Sequence, residues 1–173
     1  MRIPTRPLKI AITGRSCTGK TVVASELHAT IGGNLRSCGE LVKAVAQAEY
    51  IAVADLSVAL HRAFDLETRR WMEVLATTGI AEGSYLDRVL AGLADVFFVK
   101  LNCDLAMRVR RLGLRKGASA TAEEMISRDR DEDALRFTLY GSAVTDGVHM
   151  AEIDTTHRTK NDVVRAILDL LPP

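Results

Sequence analysis

Leu8-Lys9-Ile10-Ala11-Ile12-Thr13 runs directly into Gly14-Arg15-Ser16-Cys17-Thr18-Gly19-Lys20-Thr21, and everything downstream is organised around that junction. The first segment is a short apolar run of the kind that forms a strand buried on both faces. The second fits GxxxxGK[ST] at every fixed position, which makes it a phosphate-binding loop. Gly14 and Gly19 let the backbone curl so that successive N–H groups, those of Ser16, Cys17 and Thr18 among them, point at phosphate oxygens. The stripe of Val23, Leu27 and Ile31 that follows supplies a helix whose positive N-terminus faces the same anion. Lys20 then reaches the β- and γ-phosphates and Thr21 places its hydroxyl on Mg²⁺. ATP or GTP is the expected ligand.

Further apolar runs occur at 35–37, a weak one, and at 79–82, 96–102 and 151–155. Between them lie helical stripes such as Leu105, Val109 and Leu112, then Val164, Ile167, Leu168 and Leu171, each at the spacing of one helix face. Strands alternating with helices predict an α/β fold: a parallel sheet of about five strands with helices on both faces. The 173 residues match about one domain of roughly 150 residues, and no repeat or linker divides them. One domain over 1–173 is the expectation.

Lysine and arginine number 23 and aspartate and glutamate 22, a net charge of +1. That balance offers no general attraction to nucleic acid or to an acidic membrane, so the expected partners are small molecules. Cys17, Cys38 and Cys103 form no CxxC pair, which suits a reducing compartment and excludes a cysteine zinc site. The opening residues, Met1 to Lys9, carry two prolines and no apolar run, and no stretch of about 18 apolar residues occurs. A cytoplasmic location follows. His28 and His61 lack a second ligand at i+3 or i+4, and Trp71, Phe97 and Phe98 read as core.

Phosphate loops serve switches, motors and kinases. No DxxG follows the second or third strand and no NKxD is present, against a GTPase, and the chain is short for a motor. A kinase must neutralise charge spread over the transferring group, and 17 of the 23 cationic residues are arginine. Arg108, Arg111 and Arg115 recur at i, i+3, i+7, one helix face opposite the Leu105, Val109, Leu112 stripe. The planar guanidinium grips two phosphate oxygens at once. The small residues of 117–122 then suggest a loop, with Thr121 capping a helix and Glu124 in capping-box position. Such a loop and helix form a mobile lid whose closure brings Arg128 or Arg136 onto the phosphates and excludes water; spacing alone leaves open which of Arg128, Arg130 and Arg136 points inward.

Other segments fall in a fixed order: Ser37-Cys38-Gly39-Glu40-Leu41-Val42-Lys43, then Asp65-Leu66-Glu67-Thr68-Arg69-Arg70, then Glu82-Gly83 after the third strand. Arg111 and Arg115 come next, then Arg128 through Tyr140-Gly141, then Asp154-Thr155. Together with the loop, this series resembles the nucleoside monophosphate kinases, and within them the short cytidylate kinase-like proteins, over nearly the whole chain. The resemblance implies a three-layer P-loop NTPase sandwich with an acceptor-binding insertion at about 36–77 and a lid at about 112–137. It implies in-line transfer from MgATP to CMP, dCMP or a related pyrimidine nucleotide, modified or not, by a monomer or homodimer. Lys20, Arg111, Arg115, Arg128 and Arg136 would hold the transferring phosphoryl, Arg111 would also bind the donor, and Thr21 and Glu82 would serve the metal. Ser37, Gly39, Lys43 and Gly83 would hold the acceptor phosphate, with Asp65 and Arg69 near its base or sugar.

The chain departs from the family pattern at three places. Lys43 stands where relatives carry arginine, Ser84-Tyr85-Leu86 follows Glu82-Gly83 where they carry another, and Arg15 replaces a common proline. Arg88 is the nearest substitute for the second. Losing two acceptor-side guanidinium forks keeps two other classes open. One is a kinase acting on a hydroxyl, with Asp65 or Asp87 as base; the other is a non-catalytic ATP-binding module. Cys17 and Cys38 lie in loops expected at the site, which makes oxidation a route to inhibition.

Overall fold

A computed structural model describes residues 7–141 and 150–171; residues 1–6, part of the basic opening segment, lie outside them. Five strands, β1 (Lys9–Thr13), β2 (Asn34–Ser37), β3 (Gly79–Glu82), β4 (Val96–Asn102) and β5 (Met150–Asp154), form one parallel sheet in the order β2-β3-β1-β4-β5. Each coincides with an apolar run of the sequence. The weak one, β2, is an edge strand paired with β3 alone, and its residues are exposed or half-buried. An edge strand has less to bury, so its sequence carries less signal.

Among the described residues seven α-helices complete the fold: α1 (Lys20–Ile31), α2 (Cys38–Ala48), α3 (Val58–Val74), α4 (Leu86–Val89), α5 (Leu105–Lys116), α6 (Ala122–Tyr140) and α7 (Lys160–Leu170). α1 and α7 cover one face of the sheet, where Val23, Leu27, Val164 and Ile167 pack on Ile10, Ile12, Ile80, Val99 and Leu101. On the other face Met72 of α3 and Leu86, Val89 and Leu90 in and after α4 pack on Ala11, Ala81 and Phe98, with Trp71 against them. The result is three layers, helix on sheet on helix. Each large aliphatic side chain fully buried here contributes about 1.5–3 kcal/mol of transfer free energy. No helix of the described residues is long and apolar enough to cross a membrane.

One helix face differs from its pattern. On α5 Leu112 is fully buried, but Leu105 is 38% exposed and Arg108 lies inside at 5%. A guanidinium tolerates that position because α6 brings Asp129 against it, Arg108 Nη1 donating to Oδ2 at 2.9 Å. Arg108 is therefore a structural cation, paired rather than waiting for an anion.

Parallel pairing brings the C-terminal ends of the strands level. Ile12 lies opposite Glu82, Glu82 opposite Ser37, and Asn102 opposite Asp154. The loops after all five strands thus open on one edge, with the phosphate-binding loop on the central strand. β3 lies on one side of β1 and β4 on the other, the kind of switch point at which open α/β sheets form a ligand crevice.

Candidate active site

The phosphate-binding loop holds its shape through glycine geometry and through bonds from distant elements. Gly14 has φ 144°, and a Cβ there would sit 2.4 Å from the Leu101 carbonyl oxygen. Gly19, in the left-handed region at φ 99°, turns the chain into α1. Cys17 adopts φ 64° without being glycine, a strain of the kind found where a loop is shaped for a ligand. Thr155, just past β5, donates its hydroxyl to the Thr18 carbonyl at 2.8 Å. Arg111 on α5 donates from Nη1 to the Thr18 carbonyl at 3.2 Å and from Nη2 to the Thr155 carbonyl at 2.7 Å. Here Arg111 braces the loop against β5. Lys20 Nζ donates to the carbonyls of Gly14 and Arg15 at 2.8 and 3.0 Å, and burial lowers the pKa of its ammonium against the opposing pull of Glu132 and Glu82.

Glu82, 3% exposed at the end of β3, joins the loop to the start of α2. Its Oε1 accepts from the Thr21 hydroxyl at 3.1 Å and from the Ser37 hydroxyl. Ser37 also caps α2, accepting from the Glu40 N–H at 3.3 Å. Two hydroxyls around a buried carboxylate form a hard oxygen set, which suits Mg²⁺ completed by substrate phosphates and water. Thr21 and Glu82 are the residues that would hold it.

A cavity of about 1040 Å³ opens above these groups. Of the residues expected at the site, Ser16, Cys17, Thr18, Gly19, Lys20, Thr21, Gly39, Lys43, Asp65, Glu82, Gly83, Arg111, Arg115 and Arg128 line it. Ser37 reaches it only through Glu82. Gly14 and Arg136 face a second cavity of about 340 Å³ on the other side of the loop. Of the three arginines on α6, Arg128 lines the large cavity, Arg136 the small one, and Arg130 neither.

Two expected substrate contacts lie elsewhere. Arg69 lines neither cavity; it donates to Glu73 at 2.9 Å and to the Val89 and Ala91 carbonyls at 3.1 and 2.8 Å, bracing α3 against the end of α4. Arg88 lies beside Asp87 at 3.6 Å, and its Nε and Nη1 are buried without a hydrogen-bond partner among the described residues. Lys43 is exposed and paired with Glu40 at 2.6 Å.

Helix α6 meets the loop with acids. Asp129, Glu132 and Asp133, at i, i+3 and i+4, turn one face toward it. Arg15 pairs with Asp129 at 2.9 Å and Asp133 at 3.0 Å, and the Ser16 hydroxyl donates to Glu132. Burial opposes ionisation of Asp129, but Arg108 and Arg15 overcome it and hold its carboxyl below the usual range. Thr121 caps α6 as its sequence suggests, while the Glu124 carboxylate takes Lys116 at 2.8 Å.

On α3, Asp65 faces the cavity and accepts from the Tyr140 hydroxyl. Burial raises its pKa to about 6, against the Tyr140 bond that lowers it. Folded protein therefore holds more protons than unfolded chain between about pH 4 and 6, so this group's contribution weakens as pH rises through that window. Asp65→Asn is expected to flatten the slope of stability against pH there, read from urea midpoints at pH 4.5 and 6.5. An unchanged slope would assign it to other groups. Burial pushes the Cys38 thiol up to about 11, so it stays protonated and unreactive near neutrality.

No protein-family profile matches the chain. Among curated proteins it is 27% identical to the cytidylate kinase of Pyrobaculum aerophilum over 172 residues, covering 92% of this chain and 90% of that one. Among solved structures it resembles a gluconokinase from Sinorhizobium meliloti, with TM-score 0.67, 16% identity, and coverage of 98% and 92%. A shikimate kinase from Acinetobacter baumannii in complex with shikimate gives TM-score 0.64, 15% identity, and coverage of 96% and 94%. At these identities the structural likeness fixes the fold.

Proposed function

Starting from the premise that this chain is a P-loop kinase by fold and a homologue of a cytidylate kinase, we propose that it transfers the γ-phosphoryl group of ATP to a nucleoside monophosphate, CMP or dCMP first. The observation that carries this reading is one cavity in which Lys20 and the Thr21–Glu82 pair face Gly39, Lys43 and Asp65. Donor groups and acceptor groups then meet across a single space, as in-line transfer requires.

In that reaction the loop N–H groups and Lys20 hold the β- and γ-phosphates, and Arg115 and Arg128 neutralise charge on the transferring group. Arg111 keeps the loop registered against β5 and lines the donor side. Bound Mg²⁺ would neutralise charge on the donor phosphates. The start of α2, with Gly39 and Lys43, receives the acceptor phosphate once Lys43 leaves Glu40. Asp65, oriented by Tyr140, contacts the acceptor's base or sugar. The lid at about 112–137 is proposed as the element that shuts out water.

A second reading has its own support. On the acceptor side Lys43 is tied to Glu40, and Arg69 and Arg88 line no cavity, while Asp65 and Glu82 supply negative charge. Such a half-site suits a hydroxyl acceptor with Asp65 as base, and sugar and shikimate kinases are among the structural neighbours. ADP release from MgATP, followed with CMP, dCMP, UMP, AMP, gluconate and shikimate, separates the two. The first reading expects turnover with CMP or dCMP above all others. Turnover only with the hydroxy acids would replace it by the second, and ATP binding without any acceptor would leave a nucleotide-binding module.

A further inference from the structure

Ser16 and Lys20 belong to the phosphate-binding loop, and one acid of this same chain bonds the first and lines the same cavity as the second. The Ser16 hydroxyl donates to Glu132 Oε1. Glu132 lines the large cavity together with Lys20 and is the foremost carboxylate acting on that ammonium. Its inward position is enforced from both sides. Asp129, one turn before it, is held by Arg15 at 2.9 Å and by Arg108 at 2.9 Å. Asp133, next to it, is held by Arg15 at 3.0 Å. Arg108 in turn donates from Nε to the Ser16 carbonyl at 2.8 Å, so loop and helix are fastened at the residue Glu132 grips.

A carboxylate and a phosphate are both anionic acceptors, and they compete for the same hydroxyl and the same ammonium. In a partly desolvated cleft two such anions repel strongly. We infer that Glu132 is an internal competitor of the ATP phosphates: its carboxylate holds the Ser16 hydroxyl, stands in the cavity that Lys20 lines, and is displaced when the donor enters. The inference rests on the ATP-dependent reading above. Donor binding is then coupled to movement of α6, and apparent ATP affinity is reduced by the fraction of molecules in which Glu132 is engaged. Because Arg128 rides on the same helix, the displacement also repositions a cation of the large cavity.

The test is calorimetric titration of ATP into the full chain and into Glu132→Gln, with Glu132→Ala as a second variant, each in EDTA and in excess Mg²⁺. Removing the charge is expected to tighten ATP binding about 10-fold in both conditions, equivalent to about 1.4 kcal/mol. Unchanged or weaker binding by variants whose thermal unfolding matches the parent would overturn the inference and leave the ATP reading standing. Weakening confined to the Mg²⁺ titration would overturn it too, making Glu132 a metal-side residue. Absence of ATP binding by the parent and both variants would remove the ATP reading itself, and the inference with it.

Discussion

Lys20→Met is expected to lower kcat for phosphoryl transfer by roughly 10²–10³-fold, the cost of removing one preorganised charge-stabilising donor from a transition state. The side chain sits on the first turn of α1, behind a loop shaped by Gly14 and Gly19 and braced by Arg111 and Thr155. Nothing in the rest of the cavity duplicates its position at the loop. Its bonds to the Gly14 and Arg15 carbonyls are lost, at about 1.5–3 kcal/mol for a hydrogen bond to a charged group, and relief of the burial that disfavours its ammonium offsets part of that. Steady-state kinetics and a thermal melt on the same preparation separate the two effects. A variant that keeps activity within a few-fold of the parent would place the chemistry elsewhere.

Arg108→Met is expected to have the opposite profile, a large loss of stability with no direct loss of a substrate contact. Arg108 and Asp129 have side chains 6% and 14% exposed, and removing one partner of a buried pair costs about 3–5 kcal/mol, the lower end being expected here because Asp129 keeps Arg15 at 2.9 Å. For a chain of this length that lowers the melting temperature by roughly 10 °C. Adding Asp129→Leu should recover part of the loss, since it removes the half-paired carboxylate while Arg15 keeps Asp133 at 3.0 Å. A single variant that melts with the parent would show the pair to be incidental.

The phosphate loop, its strand and its helix are legible in the sequence because each position answers to a backbone or charge requirement local to the motif. The same holds for β3 and β4, which are mostly apolar because most of their residues are buried in the sheet, and for the cap at Thr121. The arginines are different. From sequence, Arg108, Arg111 and Arg115 form one basic stripe. In the structure Arg108 answers to Asp129, Arg111 to the carbonyls of Thr18 and Thr155, and Arg115 alone lines the cavity without a bond to another side chain among those described. Spacing within one helix cannot reveal partners on another helix or on a loop more than 90 residues distant. Residues 129, 132 and 133 share a face of α6 in the structure, and no sequence motif singles them out. That the face meets Arg15 and Ser16 depends on how α6 packs, which tertiary structure alone supplies.

The most direct test of phosphoryl transfer is a ³¹P NMR time course of MgATP with CMP and the purified chain. The account predicts that the γ-phosphorus signal of ATP declines as the β-phosphorus signals of ADP and CDP grow in equal measure, and that Lys20→Met abolishes the change on the same time scale. Release of inorganic phosphate with CMP unchanged, or an ATP spectrum that stays constant while ATP is bound, would contradict it.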